Sequence, residues 1–197
     1  MDRTWLALGL VLLLAAPIPV LPQFGLPAAQ VGAGVFADAA KPTMAIPSSG
    51  FIENAGQLAD GSIRFYTTGP VSASFTDAGV IFRVQGPDNL AVYTMRFARA
   101  RAVRPLGIDA LPGVSNFIFG NDPSRWRTGV ATCEQLVYAD LYTCIDLRFL
   151  ALDGKLKYEF IVRPGGSSAE IRLEFVGAEP SVDGSTLLLD TPAGRIT

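Results

Sequence analysis

Beyond residue 48 the chain alternates apolar and polar residues with a period of two almost throughout. In Lys155-Leu156-Lys157-Tyr158-Glu159-Phe160 the apolar positions 156, 158 and 160 fall on one face, which is the periodicity of a strand with one buried side. Asp153-Gly154 separates this run from Ile145-Asp146-Leu147-Arg148-Phe149, and a tight turn there pairs residues whose numbers sum to 307, as 153 and 154 do. That register sets Tyr158 opposite Phe149, Phe160 opposite Leu147 and Val162 opposite Ile145. On the other face Arg148 meets Glu159, an opposite-charge pair contributing about 0.2–1 kcal/mol. A slip of one residue would turn every apolar side chain to the wrong face.

The same reading predicts strands at Ile63–Thr68, Val71–Thr76, Val80–Val84, Ala91–Arg99, Asn116–Phe119, residues 133–138 and Ile171–Val176, most of them divided by Gly, Pro or Asp turn signals. Asp183-Gly184 marks a further hairpin between Pro180-Ser181-Val182 and Leu187-Leu188-Leu189. Ser167–Glu170 has room for a single helical turn, and no pattern after residue 45 supports a helix of ten residues or more. The expected fold is all-β, an antiparallel β-sandwich built from hairpins and meanders.

The N-terminus reads differently. Asp2 and Arg3 precede an apolar run from Trp5 to Ala16, closed by Pro17, Pro19 and Pro22. This is the pattern of a signal peptide. The run is too short for the roughly 20 residues that a membrane helix needs. Small residues at Ala37-Asp38-Ala39 place the expected cleavage after Ala39, giving a leader over 1–39, a linker over 40–48 and a domain over 49–197. The expected address is secreted, periplasmic or cell-surface, with the membrane met only through the signal peptide.

Two segments carry a family resemblance: Phe51-Ile52-Glu53-Asn54-Ala55-Gly56-Gln57, and the stretch from Asn116 to Phe149 that includes NFIFGNDPSRWRTGV and EQLVYADLYTCIDLRF. With Tyr158-Glu159-Phe160-Ile161-Val162 they resemble the N-terminal domain of secreted bacterial and archaeal proteins that carry SBBP-type, β-propeller-like repeats. The resemblance implies a domain with no assigned activity, standing before a repeat array. Relatives usually continue into those repeats, whereas Gly194-Arg195-Ile196-Thr197 opens a strand and stops. The chain is therefore read as a fragment or a truncated reading frame, its partner a downstream repeat domain of the same or a longer chain.

Composition narrows the chemistry. The formal net charge is −2, and loss of Arg3, Asp2 and Asp38 with the leader moves it to −1. No basic stripe is present of the kind that replaces phosphate counterions, so a nucleic-acid partner is not expected. The sequence has no histidine, which removes the commonest general base, the Ser-His-Asp triad and the usual zinc sites. No cofactor is implied. Only carboxylate chemistry remains, with Glu53, Asp122, Asp140 and Asp146 as candidates for a glycosidase-like pair. The sequence alone brings no two of them together, and the chain is expected not to be an enzyme.

Two ligand readings and one possible cross-link remain. Asn121, Asp122, Arg125 and Trp126 combine oxygen donors with an Arg-Trp pair suited to a sugar or peptide, although Asn-Asp-Pro is equally turn chemistry. Asp140 and Asp146 are weak calcium candidates near a hairpin end that also suits carboxylates capping backbone amides. Cys133 and Cys144 would meet an oxidising compartment, which permits a disulfide. A hairpin with strands at 133–138 and 145–150 and a loop at 139–144 nevertheless sets them several residues out of register. The functional expectation is a non-catalytic extracellular or cell-envelope module. The alternative is a carbohydrate-binding or glycan-processing domain in which Trp126, Tyr142 and surface carboxylates converge on a glycan or envelope partner.

Overall fold

The computed structural model describes residues 50–69, 71–152 and 155–196. The leader over 1–39, the linker over 40–48 and the Asp153-Gly154 turn lie outside the described residues. Along the chain come β1 (Phe51–Glu53), β2 (Ile63–Tyr66), β3 (Val71–Thr76), β4 (Gly79–Gln85), β5 (Leu90–Phe97), β6 (Leu106–Ala110) and β7 (Ser115–Phe117). A 3-10 turn at Pro123–Arg125 leads into β8 (Arg127–Val130), β9 (Thr132–Tyr142), β10 (Ile145–Leu152) and β11 (Lys155–Val162). A second 3-10 turn at Ser168–Glu170 precedes β12 (Leu173–Val176), β13 (Glu179–Asp183), β14 (Thr186–Thr191) and β15 (Gly194–Ile196).

Ten strands form one antiparallel sheet in the order β11-β10-β9-β1-β2-β3-β4-β5-β12, with β6 also paired to β9. The sheet curls into a half-barrel. β9 makes the curl: it pairs with β10 from Gln135 to Tyr142 and with β1 at Thr132 and Cys133, so one strand passes from one arm of the sheet to the other. Two small sheets complete the fold, β13-β14-β15 and β7-β8.

Period-two alternation explains why the curl is filled. In β5 the burial alternates strictly, with Ala91, Tyr93, Met95 and Phe97 turned inward. Phe75 of β3 meets Phe149 of β10 edge-on at 5.0 Å, and Phe97 of β5 meets Tyr138 of β9 at 5.0 Å. Strands far apart in sheet order thus face each other across one core. The Tyr138 hydroxyl donates to the Thr76 carbonyl at 2.9 Å, so this buried polar atom is satisfied.

The predicted register of β10 and β11 is observed in full, including Phe149 opposite Tyr158 and Arg148 opposite Glu159. So is the Asp183-Gly184 hairpin, with Val182 opposite Leu187. The hairpin of β9 and β10 is longer than predicted. Its strands continue to Tyr142 and from Ile145, leaving Thr143 and Cys144 as the turn in place of a loop over 139–144. Asp140 takes φ +50°, and the register shifts between Ile145 and Leu147; this bulge absorbs the polar residues that suggested a loop.

Candidate functional site

The predicted ligand loop sits at the tip of an arm formed by β7 and β8. Local chemistry shapes it. Asp122 caps the 3-10 turn, its Oδ1 accepting from the Ser124 amide at 3.0 Å and the Ser124 hydroxyl at 2.8 Å. Pro123 occupies the first position of that turn, where its fixed φ suits the backbone. The Trp126 indole N–H donates to the Gly120 carbonyl at 3.2 Å, and Arg127 folds back onto the carbonyls of Ser124 and Trp126. Asn121, Asp122 and Arg125 are exposed, and so are the apolar side chains of Val114, Ile118, Phe119 and Trp126. Tyr142 does not join them: it is 4 % exposed, and its hydroxyl donates to the Arg172 carbonyl at 2.7 Å. Trp126 and Tyr142 therefore do not share an exposed face.

Asp140 and Asp146 do come together. The Asp140 amide donates to Asp146 Oδ1 at 2.7 Å, and the Arg163 guanidinium grips the carboxylates of both. A protein cation thus occupies the position between the two carboxylates where the calcium reading would place its ion. Among the described residues no group of three or more Cys, Asp or Glu is arranged to hold a metal.

Cys133 and Cys144, whose pairing the sequence permitted but set out of register, are both free thiols. Cys133 lies near the start of β9 and Cys144 in the turn beyond its end. At about 3.3 Å per residue the strand between them spans roughly 30 Å, against about 7 Å for a bridge. Cys133 is buried, and that burial pushes its thiol up to about 11.

Phe51-Ile52-Glu53-Asn54-Ala55-Gly56-Gln57 forms a first strand ending in a turn held by side chains. Asn54 Oδ1 accepts from the amides of Gly56 and Leu58, while its Nδ2 donates to the carbonyls of Asp60 and Ile63. Gln57 Oε1 accepts from the Ala55 amide, and its Nε2 donates to the Glu53 carbonyl. Both side-chain amides of the motif bond to the backbone, and Gln57 Nε2 also donates to the Tyr66 hydroxyl.

The concave side of the half-barrel presents a different kind of feature. A cleft of about 570 Å³ opens between the curled sheet and the small sheet of β13, β14 and β15. Phe82, Met95, Leu156, Phe175, Leu187 and Leu189 supply much of its apolar wall. The polar side chains among the described lining residues are those of Lys155, Ser185, Thr186, Tyr93 and Tyr158. Phe82 and Tyr93 stack at 4.8 Å with 11° between their planes, giving one wall a flat aromatic face. Burial pushes the Tyr93 phenol up to about 12, and burial also raises that of Tyr158.

Residues 51–197 match the family model of a domain of unknown function, DUF7948. The chain belongs to that family. Neither a curated protein nor a solved structure matches it. The DUF7948 match begins at the first residue of β1 and takes in every described strand, so the arm and the cleft both lie inside the family domain.

The cleft is the part of this DUF7948 domain that sequence reading missed. Its walls come from β3, β4, β5, β11, β12, β14 and β15, which local periodicity identifies as strands without saying which of them face one another. The available signal was Tyr158, set by register on the same face as Phe160 and Leu156 of β11, which among the described residues stands at one end of the main sheet.

Proposed function

We propose that this domain is a non-catalytic interaction module of an exported protein, working at the cell surface, in the periplasm or outside the cell and standing before a β-propeller-like repeat array. One observation carries the reading. Three of the four candidate carboxylates are committed to the fold, Asp122 to its own turn and Asp140 and Asp146 to Arg163, whereas the arm turns Val114, Ile118, Phe119 and Trp126 to solvent. An apolar cluster at the tip of an arm suits contact with another protein surface. The leader and the SBBP resemblance supply the address and the downstream partner.

The test is export of the full chain fused, after Thr197, to a phosphatase that is active only outside the cytoplasm. The proposal predicts phosphatase activity and a mature N-terminus at Ala40. An intact N-terminus on an inactive cytoplasmic fusion would contradict it.

A further inference from the structure

The sequence has five tyrosines, and the structure divides them into two groups. Tyr66 is bonded to Gln57, Tyr138 donates to the Thr76 carbonyl, and Tyr142 donates to the carbonyls of Ala98 and Arg172. Tyr93 and Tyr158 have no hydrogen-bond partner among the described residues, and no unpartnered side-chain oxygen or nitrogen there is sealed from solvent. Both hydroxyls must therefore open onto free space. Both residues line the same cleft.

Every polar side chain among the described residues of the lining is able to donate: the two phenols, the hydroxyls of Ser185 and Thr186, and the ammonium of Lys155, the one charged residue among them. Among the described residues of the lining there is no Asp or Glu to repel an anion. The remaining wall is apolar, and the volume of about 570 Å³ falls within the roughly 300–1,000 Å³ of small-molecule sites. Such a cleft matches a ligand with a long apolar body and one acceptor-bearing, acidic head.

We propose that this cleft binds a long-chain carboxylic acid, its chain lying against Phe82, Met95 and Leu189 and its carboxylate taking hydrogen bonds from the hydroxyls of Tyr93 and Tyr158. Removing both hydroxyls leaves the apolar wall in place and costs two hydrogen bonds, an effect of about ten-fold or more on affinity. The inference goes beyond the module reading and is independent of export or repeats, because binding is measured on the purified chain.

The experiment is a titration of the full chain with the fluorescent acid 11-(dansylamino)undecanoic acid, followed by displacement with palmitate, with hexadecanol and with phosphatidylglycerol vesicles. The proposal expects saturable one-to-one binding that palmitate reverses at least ten-fold more effectively than hexadecanol or the vesicles. The Y93F/Y158F double variant should bind at least ten-fold more weakly while unfolding at an unchanged temperature. Leu187→Arg, which puts a long side chain into the cleft from β14, should block the probe. Absence of probe binding, equal displacement by hexadecanol, stronger displacement by phosphatidylglycerol, or unchanged affinity in a folded Y93F/Y158F protein would each overturn the proposal.

Discussion

The contact between Phe75 and Phe149 tests the curl of the main sheet, because the two residues lie on strands that are not neighbours in it. Both rings are fully buried and meet at 5.0 Å with an interplanar angle of 74°. Phe149 also touches the rings of Tyr138 and Tyr158, so truncating it to Ala should cost about 3–5 kcal/mol. That is a large share of the about 5–15 kcal/mol that holds a domain together. The milder Phe149→Leu and Phe75→Leu keep most of the volume and should each cost about 1.5 kcal/mol or less. In a double-mutant cycle followed by urea unfolding, the pair should show a coupling of about 0.5–1.5 kcal/mol, the contribution of one edge-on aromatic pair. Phe75→Leu combined with Val182→Ala, whose side chain is exposed on β13, should add to within about 0.3–0.5 kcal/mol. A Phe75–Phe149 coupling no larger than that control would mean that the two arms do not face each other.

Asn54→Ala removes an amide that makes four bonds to the backbone between Gly56 and Ile63, and should cost about 2 kcal/mol in thermal or urea unfolding. In a thiol assay on the native chain at pH 8, Cys144, partly exposed in the turn of β9 and β10, should react at once, and Cys133 only after denaturation. Burial raises the folded-state phenol of Tyr93 above its unfolded value near 10. The stability gained by keeping it neutral is thus fully present below about pH 10 and is lost as pH rises toward about 12, so unfolding temperature should fall across that window, less steeply in Tyr93→Phe. The hydrogen bond and charge of Arg64 hold the Asp77 carboxyl below its usual range. Its contribution is present above about pH 4 and is lost as pH falls further, and Asp77→Asn should flatten the acid limb by about 0.2–1 kcal/mol.

Hairpins were legible in the sequence because their information is local. The Asp153-Gly154 signal and the alternation on either side fix the pairing of Phe149 with Tyr158 without reference to any other strand. Two strands escaped. Leu106–Ala110 is exposed along its whole length and follows Pro105, so it has no buried face to alternate, and Arg127–Val130 is short and broken by Gly129. The polar run around Asp140 read as a loop, because a bulge stabilised by the Asp146 carboxylate leaves the same residue types as a turn. Pairing between distant segments was not legible at all. Phe82 and Tyr158 share a cleft only because β9 carries the chain from one arm of the sheet to the other, and no residue pattern near either position encodes that path.

The most direct test of the account is native mass spectrometry of the purified chain after incubation with palmitate, alongside the Y93F/Y158F protein. The account predicts a one-to-one adduct at the mass of a single fatty acid, much reduced in the double variant. A bare protein mass in both, or an adduct equally abundant in both, would contradict it.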